Sequence, residues 1–474
     1  MARVLRTVWK LCGDHQKPCV LGVWGRGHAS ISGESVLGMA ARDGELRVFV
    51  VAGEVSGDTI ASRLMTSLKS LSPFPVRFAG VGGSMMSKQG LKSLFPLEDI
   101  SVMGIWELMP HLSKIRVKLK ETMDAALLFQ PHVVVTVDSK GFSFRLLKLL
   151  RARHYQQYVD GPVHFHYVAP SFWAWKGGEA RLKNLAKFVD HIFCILPNEA
   201  EVCKLNGLSA NFVGHPILED ALGLNQGEDA SGTWKLAGNR ESFCSKYQVP
   251  SGGTIISVLP GSRLQEVGRM LPIFIETVKM LKSSISELLT VVHVAPNQHV
   301  EDFVDGFVRN WPVPVILIPG GETQSKYEAL SASRVALCTS GTVAVEMQLA
   351  QLPCVVAYRA HFLTELFIRY KAKIPYISLP NILLNASVIP EALFQQCTPG
   401  NLTSLLMELI HDERLREKQV LAAKEVMKLL WPLEKVVKRE QRELSSQCLY
   451  GSPSMIAAST ILDYVKPTSR YETK

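Results

Sequence analysis

Short turns of Gly, Ser and Pro, each placed directly after a β-type apolar run, constrain this chain more than any other feature. Ala52-Gly53-Glu54-Val55-Ser56-Gly57-Asp58 follows Leu46-Arg47-Val48-Phe49-Val50-Val51. Leu259-Pro260-Gly261-Ser262-Arg263 follows Thr254-Ile255-Ile256-Ser257-Val258, and Cys338-Thr339-Ser340-Gly341-Thr342 follows Val335-Ala336-Leu337. Open α/β sheets bind ligands beyond the carboxyl ends of their strands, where such turns lie. One turn opens the first half of the chain and two lie in the second. That arrangement predicts two Rossmann-like domains facing a cleft.

The length of 474 residues exceeds one ordinary core, so two domains are expected. No apolar run of spanning length occurs. The formal net charge of +9 fits anionic partners. About half of it comes from residues 1–42, where six Lys or Arg (Arg3, Arg6, Lys10, Lys17, Arg26, Arg42) face two acids, Asp14 and Glu34. The remainder is only mildly basic, and no nucleic-acid partner is expected. Val4, Leu5, Val8, Trp9 and Leu11 can line one face of a short basic helix. An Arg-rich, acid-poor amphipathic start reads as an organelle transit peptide; a plain disordered extension is the alternative. The nine cysteines show no metal-ligand spacing and read as reduced, mostly buried thiols.

From residue 43 strands and helices alternate, as a parallel sheet covered on both faces requires. The first half gives strands over 46–51, 76–79, 132–137, 163–168 and 191–196, with helices over 59–71, 114–128, 144–153, 180–188 and 199–205. Alternation lapses over 221–253, which reads as a linker with an inserted loop. It resumes with strands over 254–259, 289–294, 315–318, 335–337 and 354–357, and helices over 266–282 and 343–350. The expected divisions are a transit peptide 1–42, a first domain 43–222, a linker 223–252, a second domain 253–430 and a helical tail 431–474.

Ser340-Gly341-Thr342 places small residues at a helix start, where bare N–H groups and the positive helix end suit a diphosphate. Glu346, one turn further, can accept ribose hydroxyls or simply be solvated. Arg263 at a strand end can clamp a phosphate or lie on the surface. Glu54 and Asp58 flank Ser56 in the first turn, where Asp58 can also cap a helix. Asp138 ends the apolar strand His132-Val133-Val134-Val135-Thr136-Val137, a position for a general base or an ordinary turn residue. Trp173 and Trp175, followed by Lys176 and Arg181, read as a surface for a phosphorylated, partly apolar acceptor, or as core. Ser101-Val102-Met103-Gly104-Ile105-Trp106-Glu107-Leu108-Met109-Pro110 is unusually apolar for a connection, and reads as a lid, an acyl groove, a membrane-dipping patch or a buried helix. There is no Walker A loop and no GxGxxG turn with an acidic partner.

From Leu46 to Thr398 these segments, together with Val213-Gly214-His215-Pro216, Tyr167-Val168-Ala169-Pro170-Ser171-Phe172-Trp173-Ala174-Trp175 and Tyr376-Ile377-Ser378-Leu379-Pro380-Asn381, stand in family order. On them the chain resembles the lipid-A-disaccharide synthases, inverting glycosyltransferases of the two-domain B type. The resemblance implies transfer of a sugar from UDP-2,3-diacylglucosamine to the 6-hydroxyl of 2,3-diacylglucosamine 1-phosphate. It implies Asp138 as base and Arg263 with Ser340-Gly341-Thr342 at the diphosphate. Glu346 and Asn381 would hold the nucleoside or sugar, and Glu54, Ser56, Asp58, Trp173 and Trp175 would line the acceptor side. Acylated substrates imply a peripheral membrane contact, with Met103, Ile105, Trp106, Leu108 and Met109 as candidates and Lys114, Arg116 and Lys118 near lipid phosphates. No cofactor and no metal are expected, and a homodimer is left open. The basic N-terminal extension implies a mitochondrial enzyme at the inner membrane, rather than a plastid one given few Ser.

The pattern also departs from the family. Asp138 is followed by Ser139-Lys140-Gly141 where bacterial members usually have Ala-Pro-Asp, which removes a second acid. Asn385-Ala386 stands where Gly-Arg is frequent, and the 221–253 stretch is longer than usual. Two other readings stay open: a UDP-N-acetylglucosamine 2-epimerase on the same fold, and a non-catalytic lipid-binding relative.

Overall fold

The computed structural model describes residues 34–101, 112–157, 160–220, 238–250, 252–360, 362–432 and 451–466. Two six-stranded sheets organise them, with every strand pairing parallel. The first holds β1 (Leu46–Ala52), β2 (Val76–Val81), β3 (Val133–Val137), β4 (Val163–Tyr167), β5 (His191–Cys194) and β6 (Ala210–Phe212), in the order β2-β1-β3-β4-β5-β6. The second holds β7 (Thr254–Leu259), β8 (Leu288–His293), β9 (Val315–Ile318), β10 (Val335–Thr339), β11 (Cys354–Tyr358) and β12 (Glu391–Leu393), in the order β12-β11-β10-β7-β8-β9.

Each sheet runs outward from one central strand, then restarts on that strand's other side. The reversal falls between β1 and β3 in the first domain and between β7 and β10 in the second. Crevices open at such switch points, because the connections on either side lead away to opposite faces.

Successive strand residues point to opposite faces. Val48 and Val50 accordingly join one buried cluster with helix Val55–Leu71, while Phe49 and Val51 join another with helix Lys140–Gln156. In β10, Val335 and Leu337 face the cluster containing helix Leu264–Lys282, and Ala336 and Cys338 face the one containing helix Thr342–Leu349. Coverage on both faces is why these strands read as continuous apolar runs.

The expected boundaries need correction in three places. Helix Val36–Asp43 lies inside the segment assigned to a leader. Its cap Ser35 accepts from Gly38 N at 3.0 Å, and Val36, Met39 and Ala40 are buried in the first domain's core. The folded chain therefore reaches back at least to Glu34, while 1–33 lie outside the described residues. Within the expected linker and loop, Asn239 caps a helix Arg240–Lys246 that buries Phe243. Residues 221–237 lie outside the description. The tail is not a separate appendage either. Helix Pro453–Leu462 returns to the first domain and packs on Val55–Leu71, and Ile456, Ala457, Ala458, Ile461 and Leu462 enter its core. Ser454 N donates to Glu219 Oε1 at 2.6 Å and Val36 N to Tyr464 O at 3.0 Å, which ties both ends of the chain to this domain.

The domains meet along one apolar cluster, in which Leu196, Ile217 and Leu218 of the first pack with Leu259, Tyr327, Leu330 and Leu430 of the second. The polypeptide changes domain beside it. His215 N donates to Leu430 O at 3.2 Å, and the Arg63 guanidinium pairs with Asp220 and donates to Pro216 O at 2.7 Å.

Candidate active site

Glu54 and Asp138 stand at the two strand ends flanking the first switch point. Glu54 is the residue before helix Val55–Leu71, which starts four residues ahead of the expected Thr59. The turn is closely fitted to its neighbour: a Cβ on Gly53 would lie 2.1 Å from Ser139 Cβ. Asp138 and Ser139 both have left-handed backbones, at φ 51° and 44°, and helix Lys140–Gln156 follows at once. At the next strand end Val168 has φ 73°, an outlier for a β-branched residue. Strained backbone concentrated at adjacent strand ends is a common attribute of functional sites. Ser143 Oγ donates to Asp138 O at 2.7 Å and Asp138 N donates to Tyr167 O at 3.0 Å, which fixes the strained turn.

Arg263 follows β7 and precedes helix Leu264–Lys282, at the second domain's switch point. It crosses the cleft to pair with Glu54, and both side chains are under a third exposed. Glu54 therefore sits in opposing fields. Burial first, and the nearby Asp138 charge second, raise its pKa, while Arg263 and Lys140 oppose the rise. Two carboxylates of the first domain and a guanidinium of the second thus share one crevice.

On the other side of that switch point, Gly341 has φ 111° and ψ −148°, a conformation essentially reserved for glycine. No side chain caps helix Thr342–Leu349, and within its first turn Ala344 N donates to Gly341 O at 3.2 Å. Gly341 and Thr342 are exposed and Ser340 is half-buried. Glu346 lies one turn in and pairs with Lys326 Nζ at 2.5 Å. Glu266, beneath the Arg263 turn, has its pKa raised by burial.

Two expected ligand contacts, at Asp58 and Asn381, are corrected. Asp58 is buried and accepts from Gly83 N, Met85 N and Met86 N at 2.7, 2.9 and 3.1 Å, so it starts helix Ser84–Lys88 instead of facing acceptor. Asn381 is fully buried. Its amide donates to Ile389 O and Glu391 Oε1, both at 2.8 Å, and accepts from Val388 N and Ile389 N at 3.0 and 2.9 Å. Those bonds use its whole hydrogen-bonding capacity and leave none for a nucleoside. Trp173 is partly buried between the domains, with Nε1 donating to Glu199 Oε1 at 3.3 Å.

Ser56 is exposed in the first helical turn. Trp175 meets Phe367 of the second domain, with ring centroids 5.9 Å apart. Lys114 pairs with Asp99 at 2.6 Å and Lys118 with Glu121 at 2.9 Å, so both lysines already have acidic partners. Met103, Ile105 and Trp106, with Leu108 and Met109, lie outside the described residues.

Sequence reasoning missed Glu199 and Lys326. Burial pushes the Glu199 carboxyl up to about 7, against hydrogen bonds from Trp173 and the Leu196 amide. Neither residue carries a local signal: Lys326 reads as a solvated helix residue, and Glu199 as a first-turn acid.

A family model described as lipid-A-disaccharide synthetase matches residues 48–444. The chain is 61% identical over 435 residues to the Arabidopsis thaliana protein named "Probable lipid-A-disaccharide synthase, mitochondrial", covering 91% of this chain and 94% of that one. It is 39% identical over 385 residues to the lipid-A-disaccharide synthase of Rhodospirillum centenum, covering 81% and 90%. In fold it is similar to UDP-GlcNAc 2-epimerase from Neisseria meningitidis bound to UDP-GlcNAc, at TM-score 0.54 and 13% identity over 84% of this chain and all (100%) of that one. It is also similar to the calicheamicin glycosyltransferase CalG4, at TM-score 0.50 and 15% identity over 89% of this chain and 100% of the other.

Proposed function

The chain belongs to the lipid-A-disaccharide synthase family, glycosyltransferases of lipid A biosynthesis, and from that premise we propose how its cleft performs the transfer. UDP-2,3-diacylglucosamine is the donor and the 6-hydroxyl of 2,3-diacylglucosamine 1-phosphate the nucleophile. An α-linked donor and a β-linked product require inversion, hence one in-line displacement. The new O6–C1 bond forms as the bond from C1 to the UDP oxygen breaks, and the hydroxyl proton passes to a base.

Asp138 is that base, held at the end of β3 by a strained and hydrogen-bonded turn. Charge developing on departing UDP is met by Arg263 and the uncapped start of helix Thr342–Leu349. Binding is an exchange of partners: the diphosphate takes Arg263 from Glu54, and ribose hydroxyls compete with Lys326 for Glu346. Released from Arg263, Glu54 keeps the burial and the Asp138 charge that raise its pKa. A half-buried carboxyl beside the base, its pKa raised by burial and by the Asp138 charge, is placed to orient the acceptor hydroxyl. Ser56 and Trp175 border the same mouth. The observation that carries this reading is the meeting of Glu54, Asp138 and Arg263 between two switch points.

The substrates' acyl chains call for peripheral contact with a membrane, and Met103, Ile105 and Trp106 remain our candidates for it. The Arabidopsis relative is named mitochondrial, and the basic, acid-poor residues 1–33 support that compartment here, at the inner membrane surface.

The test is mass spectrometry of the detergent-solubilised full-length chain with both substrates. Wild type should release UDP and a tetra-acyl disaccharide phosphate. Asp138→Asn should keep the fold and lose turnover, and near-normal turnover would remove Asp138 as base. Arg263→Ala should weaken UDP binding and slow turnover by roughly 10²-fold, as loss of one oxyanion donor does.

A further inference from the structure

Helix Phe362–Lys371 reaches from the second domain across to the loop after β4. Lys176 N donates to Lys371 O and Lys373 N to Ala174 O, both at 2.9 Å. Lys373 Nζ pairs with Glu179 at 3.1 Å, and Trp175 meets Phe367. The helix therefore bridges the domains at the mouth of the cleft, beside the acceptor loop.

Its outer side is unlike a soluble surface. Phe362, Leu366 and Tyr370, spaced four residues apart and so on one face, are 67%, 57% and 71% exposed, with Phe367 beside them at 43%. Cations frame the apolar stripe. Lys176 and Lys371 Nζ lie 5.8 and 5.4 Å from the Tyr370 ring centre, and the Arg369 guanidinium lies 5.5 Å from that of Phe394. Against them stand Glu365, and Glu179 already paired with Lys373. Exposed large apolar groups in line, with cations alongside whose stems can run along the rings, match the boundary between hydrocarbon and anionic headgroups. Ten residues are too few to span a bilayer but suit a helix lying in its surface.

We propose that helix Phe362–Lys371 is a membrane-docking element that seats the cleft mouth on an anionic phospholipid surface. This rests on the reading that the substrates are acylated, since a mouth pressed to the bilayer receives them without passage through water. The occupant is lipid because the framing charge is positive, as anionic headgroups require and an apolar protein partner does not.

The test is co-sedimentation of the full-length chain with vesicles of phosphatidylcholine alone and with 30 mol% phosphatidylglycerol (~0.3 mole fraction, an anionic surface), without donor or acceptor. Wild type should partition into the anionic vesicles more strongly than into the neutral ones. Leu366→Asp with Tyr370→Asp should weaken that partition by about tenfold or more, through lost apolar burial and added negative charge. Lys176→Gln with Lys371→Gln leaves the stripe intact and should lose only the preference for anionic vesicles, which keeps the test decisive if the first variant misfolds. Wild-type partition in both variants would overturn the proposal, as would equal wild-type binding to neutral and anionic vesicles. A self-association that Leu366→Asp/Tyr370→Asp abolishes while partition persists would assign the stripe to a second copy and overturn it too. Because no substrate is present, failure of the catalytic reading leaves this outcome interpretable.

Discussion

Asp58 and Asn381 show how little a polar residue's identity says about its role. Each stands in a segment whose motif suggests a ligand, and each is instead a buried hydrogen-bonding node. The sequence records an amide or carboxyl but not the three backbone groups that converge on it. The cleft-side positions of Asp138 and Arg263 were legible because each closely follows the carboxyl end of a strand. Glu199 belongs to the illegible kind, and its chemistry is measurable. Its carboxyl goes from about 4.5 unfolded to about 7 folded, mainly through burial. Folding thus favours the protonated form, whose stabilisation is complete below pH 4.5 and lost as pH rises through 7. The difference is worth roughly 3 kcal/mol. Urea unfolding of wild type and Glu199→Gln should show wild type losing about that much relative to the variant between pH 4.5 and 8. A pH-independent difference would mean that Glu199 does not titrate in this range.

Strands were legible as elements because burial on both faces leaves an unbroken apolar run; β7 and β9 fall where that run begins and ends. Helix starts were not. The periodic pattern points to residues 59 and 144, yet the helices open at Val55 and Lys140. The opening turns carry mainly polar and small residues, Ser56, Gly57 and Asp58 in one and Lys140, Gly141 and Ser143 in the other, so the apolar periodicity sets in late even where the turn is buried. Gly341 is the position where the backbone of such a turn can be isolated. A Cβ there meets nothing within 4 Å, so Gly341→Ala imposes backbone strain alone. We expect a loss of about 1–3 kcal/mol in stability and weaker UDP binding with the fold retained. Calorimetric titration with UDP checks it, and unchanged affinity would place the diphosphate elsewhere.

For the whole molecule, two facing α/β domains follow from the repeated strand–turn–helix alternation, but the path between them does not. The returning helix Pro453–Leu462 has an apolar composition that a second-domain location would fit equally well; only tertiary packing assigns it to helix Val55–Leu71. Ending the chain at residue 450 would uncover Ile456, Ile461 and Leu462 contacts worth on the order of 5 kcal/mol. Thermal unfolding of that truncation should show an early transition absent from the full chain. A single transition at the full-chain temperature would show the helix to be dispensable.

That return also means that two stretches of backbone pass between the domains, and near Gly214 and Pro432 they run side by side. A Cβ on Gly214 would come within 2.8 Å of Pro432 Cδ, and His215 N donates to Leu430 O at 3.2 Å. A single tether lets one body swivel about any axis. Two adjacent tethers resist torsion yet still bend together. Rotation of one domain against the other would have to break this contact, so the paired crossings favour the one orientation in which Glu54 and Arg263 face each other.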